Sequence, residues 1–245
     1  MRRRLDAELV RRGLSSSRQQ AQEVIDAGLV TVAGAPATKP SRMVAPGEPI
    51  VVQGPGRRFV SRGGEKLEAA LDHFGIDVTG LDALDAGSST GGFTDCLLQR
   101  GAASVTSVDV GRAQLHERLL SDPRVTSKER TDIRDFHADT PFPLVVADLS
   151  FISLVTVAPA LVGDNAAPGA DVVVLVKPQF EAGRAEASKG RGVIRDPEVR
   201  AAALDRVASA LAGHGAAMMG SMVSPLTGAD GNVEFLLHLR AHEAG

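Results

Sequence analysis

The spacing of hydrophobic residues along the chain predicts helices and strands in regular alternation. Short apolar runs are predicted strands, and they include 105–108, 142–146 and 172–176. Between them, apolar residues recur three or four positions apart, which is typical of helices that bury one face. This alternation indicates an α/β fold with a mostly parallel sheet. The run 172–176 is apolar at every position, as expected of a central strand covered on both faces.

The last two predicted strands, 218–223 and 233–239, are joined by only a short connection. So short a connection predicts that these two strands are antiparallel. In the second of them, apolar residues recur at every second position from Val233, so Glu234 should face the opposite side.

The first part of the chain has a different pattern, with two short amphipathic helices at 5–14 and 18–27 followed by short strands. A stretch rich in glycine, proline and arginine, 54–58, then interrupts the pattern as a linker does. We therefore predict a small α+β domain at 1–56, a linker at 57–63 and the α/β domain at 64–245.

Charge is divided unevenly between these parts. Residues 1–62 contain eleven Lys or Arg and five Asp or Glu, whereas residues 63–245 contain sixteen and twenty-five, so their net charges are +6 and −9. A basic module of this kind suits the phosphates of a polyanion such as RNA, although an ordinary solvated basic face is the alternative. The chain has no Trp or Tyr, so base stacking would fall to Phe, His or Arg.

Composition and the missing apolar runs favour a cytoplasmic protein. The chain is 43% hydrophobic and 23% charged, as globular proteins are. No apolar run approaches the length of about 18 residues that a membrane span needs, and none follows the N-terminal arginines. The single cysteine, Cys96, allows no disulfide within the chain and should be a small buried side chain. We expect no membrane partner and no metal site.

A predicted strand that ends at Leu84 is followed by a glycine-rich turn, with Gly87, Gly91 and Gly92, and at once by a predicted helix. Glycine lets the backbone approach a ligand closely, and the first N–H groups of a helix point toward that ligand. The next predicted strand ends in Asp109, which suits a pair of ribose hydroxyls. The spacing differs from G-x-G-x-x-G and so disfavours a nicotinamide cofactor; a simple sharp connection is the alternative.

Charged residues stand at the ends of further predicted elements. Asp132 is expected at the end of the third strand, and Asp148 and Lys177 directly follow two later strands. Because ligands of open α/β sheets bind at the carboxyl edge, Asp148 and Lys177 should lie there. Lys66 begins a predicted helix, where the helix dipole disfavours a lysine, although an exposed surface lysine is the alternative. Glu234 opens the last strand.

Residues 1–56 resemble the S4 RNA-binding domain, in Arg4-Leu5-Asp6, Arg12-Gly13-Leu14, Ser17-Arg18, Gly28-Leu29-Val30-Thr31-Val32 and Lys39-Pro40-Ser41. The resemblance implies two helices followed by a small β region, with basic residues that contact structured RNA. The basic residues expected to do so are Arg3, Arg4, Arg11, Arg12, Arg18, Lys39 and Arg42.

The remainder resembles Rossmann-like S-adenosylmethionine-dependent methyltransferases, in the glycine turn and Asp109. Lys66, Asp148, Lys177 and Glu234, in this order, resemble the tetrad of the FtsJ-type RNA 2′-O-methyltransferases. Several sequence motifs of the chain resemble those of the haemolysin A (TlyA) family, for example Ser61-Arg62-Gly63-Gly64, Gly91-Gly92-Phe93-Thr94-Asp95 and Val176-Lys177-Pro178-Gln179-Phe180.

This resemblance implies a seven-stranded, mostly parallel sheet with the last strand antiparallel. It also implies 2′-O-methylation of cytidine in ribosomal RNA of one or both subunits, with S-adenosylmethionine as cofactor and ribosomal RNA or subunits as partners. Separately from the resemblance, we expect a monomer. The residues expected to act in catalysis are Lys66, Asp148, Lys177 and Glu234. Those expected at the cofactor are Ser61, Arg62, Gly63, Gly64, Asp85, Gly87, Ser88, Ser89, Thr90, Gly91, Gly92, Phe93, Asp109, Asp132 and Asp148.

A ribose 2′-hydroxyl is a poor nucleophile and needs a base beside it. Lys177 can be that base only as a neutral amine. A second ammonium on Lys66 and partial burial favour the neutral form, whereas Asp148 and Glu234 oppose it, and the sequence does not decide which effect prevails.

Two other classes of function remain open. A pore-forming cytolysin is disfavoured because no membrane span is predicted. A non-catalytic RNA-binding or assembly factor is disfavoured because all four tetrad positions are filled. The chain also departs from its family at 57–60, where relatives often carry Tyr or Trp and this sequence has Phe59 as its aromatic residue.

Overall fold

The computed structural model describes residues 2–15, 17–53, 58–183, 190, 192–228 and 230–242. The chain divides into two compact units, Met1–Arg58 and Phe59–Gly245. This division falls inside the linker expected at 57–63, and the predicted domain bounds themselves stay a prediction.

In its described residues, the N-terminal unit has two helices and five short strands. The helices are α1 (Leu5–Arg11) and α2 (Arg18–Asp26), and the strands are β1 (Arg3–Arg4), β2 (Val30–Val32), β3 (Ala35–Pro36), β4 (Met43–Val44) and β5 (Ile50–Val52). β1 pairs with β4, and β2 lies between β3 and β5. α1 ends earlier than predicted, because Gly13 turns the chain with a φ of 69°. Leu5, Leu9, Ile25 and Val30 belong to the buried core of this unit.

The second unit is a sheet flanked by helices. Its strands are β6 (Asp82–Ala86), β7 (Ser104–Asp109), β8 (Val125–Glu129), β9 (Phe142–Ala147), β10 (Ala166–Val176), β11 (Ala216–Val223) and β12 (Phe235–Ala241). Its helices are α3 (Gly63–Phe74), α4 (Gly92–Gln99), α5 (Glu117–Leu120), α6 (Leu154–Ala158), α7 (Pro178–Glu181) and α8 (Pro197–Gly213). A π-helical segment, Pro159–Asp164, continues α6.

The strand order of the sheet is β11-β12-β10-β9-β6-β7-β8. β12 is antiparallel to both its neighbours, and the pairs from β10 through β9, β6 and β7 to β8 are parallel. The predicted seven-stranded, mostly parallel sheet with an antiparallel last strand is therefore confirmed. The chain order reverses between β6 and β9, and ligands of such sheets bind at the carboxyl ends of the strands at this point. Val176 pairs with Phe235, which brings Lys177 and Glu234 to the same edge.

Two clusters of buried hydrophobic side chains hold the helices to the sheet. One joins the sheet to α6 and α8 and includes Val157 and Leu211. The other joins it to α3, α4 and α5 and includes Leu71, Leu97 and the fully buried Cys96. No helix within the described ranges has both the length and the apolar character needed to cross a membrane.

The third strand of the sheet ends earlier than predicted. β8 ends at Glu129 and the next residue, Arg130, has a φ of 54°, which a strand does not accommodate. The expectation that Asp132 stands at the end of this strand is therefore wrong, because the strand ends three residues earlier. The chain still returns to the sheet edge, because the Thr131 N–H donates to the Asp109 carbonyl at 3.0 Å.

Candidate active site

The turn after β6 packs so closely that Gly87 and Gly91 leave no room for a side chain. Gly87 and Gly91 have φ values of 82° and 94°, which favour glycine. A Cβ on Gly87 would lie 2.7 Å from the Asp148 carbonyl oxygen, and one on Gly91 would collide with Leu119. The backbone of this turn therefore lies directly at the carboxyl edge of the sheet.

The side chain of Asp85 holds this turn in place through Thr94. It is fully buried, and its Oδ2 accepts hydrogen bonds from the Thr94 N–H at 2.9 Å and the Thr94 hydroxyl at 2.6 Å. Burial raises the pKa of Asp85 to about 7, against the smaller opposing effect of the Thr94 hydrogen bonds. The structure thus places this expected cofactor residue where it fixes the first turn of α4.

A cavity of about 550 Å³ opens beside the turn, a volume typical of small-molecule sites of roughly 300–1,000 Å³. Its lining joins the ends of three neighbouring strands and includes Gly87, Ser89, Asp109, Asp132, Asp148 and Phe151. A smaller recess next to it brings together further expected cofactor residues: Ser61, Gly63, Ser88, Thr90, Gly92 and Phe93.

Two carboxylates of the cavity already have partners. Asp109 accepts the N–H groups of Ser89 and Gly111 at 2.7 Å each, on different oxygens. A carboxylate has about four acceptor positions, so Asp109 keeps capacity for ligand hydroxyls. Asp132 accepts from the Arg134 guanidinium on both oxygens, and these hydrogen bonds lower the pKa of Asp132 to about 2. The Asp132 carboxyl is consequently ionised at neutral pH.

The four residues of the expected tetrad form two ion pairs. Lys177 Nζ lies 2.6 Å from Asp148 Oδ1 and 2.8 Å from Ser150 Oγ. Lys66 Nζ lies 2.5 Å from Glu234 Oε2, and this second pair is buried. Because Asp148 lines the cavity, the Lys177 pair borders the space available to a ligand. Each lysine thus has a carboxylate partner of its own.

The loop between β11 and β12, which carries the buried glutamate, is tied down at two points. Asn232 is buried; its Nδ2–H donates to the Gly192 carbonyl at 2.8 Å, and its Oδ1 accepts the Ile194 N–H at 2.9 Å. Arg62, which was expected at the cofactor, donates to the Thr227 carbonyl of this loop at 3.2 Å. The position of the loop therefore depends on hydrogen bonds to two distant segments.

The first residues of the second unit form one wall of the recess. Phe59 is buried against Gly64, where an added Cβ would collide with the ring. The Val60 N–H donates to Asp95 Oδ2 at 2.7 Å, and Asp95 is itself buried. Gly64 therefore lets α3 pack closely against Phe59, while its neighbours Ser61 and Gly63 line the recess.

Phe151 and Ser150 are site residues that sequence reasoning did not single out. Phe151 lines the cavity, is 91% exposed, and has a φ of 66°, a rare conformation for a bulky residue. Its ring centroid lies 5.3 Å from that of Phe180, and Lys177 Nζ lies 6.0 Å from the Phe180 centroid. Strain of this kind concentrates at functional sites. The sequence feature that could have indicated both residues is their position just after Asp148.

Arg12 in the N-terminal unit has internal partners. Its guanidinium donates to the carbonyls of Glu48, Ala45 and Pro46 at 2.7, 3.1 and 2.9 Å, and to Glu8 at 2.8 Å. Only 20% of its side chain is exposed. Arg12 thus ties α1 to the turn between β4 and β5, which leaves little of it for RNA. The other expected RNA contacts are at least partly exposed: Arg3, Arg4, Arg11, Arg18, Lys39 and Arg42.

Two family models match the chain. The S4 domain model matches residues 3–50, and the FtsJ-like methyltransferase model matches residues 59–241. The chain belongs to the FtsJ-like methyltransferase family. The expected resemblance of both parts of the chain is therefore confirmed.

Two similar proteins and one solved structure extend the FtsJ-like assignment. The 16S/23S rRNA (cytidine-2′-O)-methyltransferase TlyA of Mycobacterium tuberculosis is 51% identical to this chain, and the alignment covers 98% of this chain and 90% of the relative. Hemolysin A of Brachyspira hyodysenteriae is 41% identical over 96% of this chain and 98% of its own. A solved structure from Streptococcus thermophilus is 38% identical, covers 99% of this chain and 90% of its own, and has a TM-score of 0.79. The resemblance to the haemolysin A (TlyA) family is confirmed.

Proposed function

We propose that this protein transfers the methyl group of S-adenosylmethionine to the 2′-hydroxyl of cytidine in ribosomal RNA. The observation that supports it most directly is the Lys177–Asp148 pair at the carboxyl edge of the sheet, beside the cavity of the glycine turn. The choice of cytidine in ribosomal RNA follows the name of the 51% identical relative. The S4 domain at the basic end of the chain supports an RNA substrate.

The donors and acceptors of the cavity fit S-adenosylmethionine, which supplies an electrophilic methyl group on a sulfonium sulfur. Gly87 and Gly91 let the backbone approach the ligand. Asp109 has acceptor positions left for a pair of ribose hydroxyls. Asp132 would lie near the adenine amino group, and Ser61 and Gly63 would contact the cofactor from the recess.

Lys177 would accept the proton of the 2′-hydroxyl. Asp148 and Ser150 fix the position of its Nζ, and the exposed Phe151 ring offers a stacking surface for the target base. Lys177 can accept this proton only as a neutral amine, and the ammonium that results would be held by Asp148. The buried Lys66–Glu234 pair would act beside it by positioning.

Mapping of 2′-O-methyl positions in ribosomal RNA tests the proposal. We expect at least one cytidine to lose its methyl group in cells that lack the protein. The purified protein should restore that methyl group on isolated ribosomal subunits in the presence of the cofactor. Identical maps, together with no transfer in vitro, would show that the proposed function is wrong.

Substitutions of Lys177 distinguish a role as general base from a role as a fixed positive charge. Lys177→Ala should abolish methyl transfer but leave cofactor and RNA bound, because a transition-state role lowers turnover without loosening the ground states. Lys177→Arg should also fail, since a guanidinium stays protonated at any working pH. Near-normal turnover by Lys177→Arg would exclude general-base catalysis and favour positioning by charge.

A further inference from the structure

One buried carboxylate in the N-terminal unit holds two arginines. Asp6 is fully buried, and its Oδ2 accepts from Nη2 of Arg4 at 2.8 Å and from Nη2 of Arg18 at 3.0 Å. Its Oδ1 accepts Nε of Arg4 at 3.1 Å and the Ala7 N–H at 2.8 Å. Gln22 Nε2 lies 3.4 Å from Oδ2. The carboxylate thus joins the start of α1 to the first turn of α2.

Both arginines remain open to solvent. The side chains of Arg4 and Arg18 are 45% and 59% exposed, whereas that of Arg12 is 20% exposed and donates to backbone carbonyls. One buried negative charge therefore supports two exposed positive charges. The cluster keeps a net positive charge on its outer side, next to the exposed Arg3.

Two guanidinium groups that share one oxygen lie within about 6 Å of each other and repel, so they would separate without the carboxylate between them. Arginine forks bind phosphate well when they are held in place, because less side-chain entropy is lost on binding. The Arg4 guanidinium in turn holds the pKa of Asp6 well below its usual range, so the carboxylate stays charged at neutral pH.

We propose that Asp6 is a positioning residue for RNA, which fixes Arg4 and Arg18 as a pair of guanidinium groups for a backbone phosphate. The proposal rests on the proposed function, in that the RNA is the substrate of the methyl transfer. It goes beyond that function by giving a carboxylate a favourable role in binding a polyanion.

The sign of the effect of Asp6→Asn tests this directly. Charge alone predicts tighter RNA binding, because the substitution removes a negative charge from a basic surface. The proposal predicts the opposite, since the Asn amide donor would face the guanidinium donors and release them. We expect binding of the full chain to purified ribosomal subunits, measured by filter retention without cofactor, to weaken roughly tenfold.

Asp26→Asn is the matched control. Asp26 is exposed on α2 and gives the same change in charge, so binding should tighten slightly or stay unchanged. Circular dichroism and thermal unfolding of both variants establish that the unit keeps its fold. If Asp6→Asn keeps its fold and binds subunits as tightly as the unchanged protein or more tightly, the proposal is overturned.

If Asp6→Asn does not fold, a double-mutant cycle of Arg4→Gln and Arg18→Gln decides the question. Both side chains are exposed, and circular dichroism and thermal unfolding again establish that each variant keeps its fold. A pair that binds one phosphate gives less than additive losses in affinity, and each single change lowers the salt slope by about 1. Additive losses would overturn the proposal. Binding is measured without methyl transfer, so this outcome is independent of whether the protein methylates RNA.

Discussion

Asp85 shows how one buried side chain makes the stability of the fold depend on pH. Its pKa in the folded protein is raised to about 7 by burial, while an aspartate in an unfolded chain titrates near about 4. The folded state therefore binds the proton more tightly. The contribution of this group is fully present below about pH 4 and is lost as pH rises to about 7, by up to about 1.4 kcal/mol per pH unit.

Asp85→Asn should flatten this dependence, because an amide has no proton to lose in that range. Denaturant unfolding of the cofactor-free protein between about pH 4 and 8 measures it. Asp82→Asn, on the exposed start of the same strand, is the control for charge. Parallel curves for the unchanged protein and Asp85→Asn would mean that Asp85 titrates normally in the folded state.

At the scale of elements, two buried asparagines tie distant segments of the chain together. Asn232 holds the loop beside the lysine edge. Asn165 precedes β10; its Oδ1 accepts the Ala138 N–H at 2.9 Å, and its Nδ2–H donates to the Phe136 carbonyl at 3.0 Å. Replacement of either by Asp turns a donor into an acceptor that faces a carbonyl, at a cost of about 1–3 kcal/mol of folding free energy.

Asn232→Asp should also lower kcat for methyl transfer about tenfold or more without changing the cofactor Kd, because it displaces the loop that carries Glu234. Asn165→Asp should lose similar stability yet keep its kcat at a temperature well below the unfolding midpoint. Thermal unfolding, calorimetry and initial rates distinguish the two variants. Equal kcat values for both would assign Asn232 a structural role alone.

The elements and the site edge could be predicted because they depend on local pattern. Apolar periodicity located β7, β9 and β10, and parallel strands then place the residues after them, Asp148 and Lys177, at one edge. The carbonyl partners of Arg12 could not be predicted, since they lie more than thirty positions away in the sequence. The conformation of Phe151 was equally hidden, because a positive φ opposes the local preference of a bulky residue.

For the whole molecule, the division at Arg58 and Phe59 predicts that the two units act separately. Each has its own buried core, so removal of residues 1–56 should leave the cofactor Kd within about twofold. Affinity for ribosomal subunits should fall at least about tenfold, and that of the intact protein should weaken steeply with salt. Calorimetry and filter retention measure these effects. Equal affinity of the truncated and intact chains for subunits would contradict the division.

The burial of Cys96 has a consequence for the timing of motions around the glycine turn. Cys96 is the only thiol in the sequence, and it is enclosed within α4 next to the turn. A thiol reagent reaches it when α4 detaches from the sheet, so the labelling rate of the native chain reports how often that helix opens. A ligand that binds the closed form slows this rate by the factor 1 + [L]/Kd. The labelling rate of Cys96 would thus report how much of the proposed cofactor cavity is occupied.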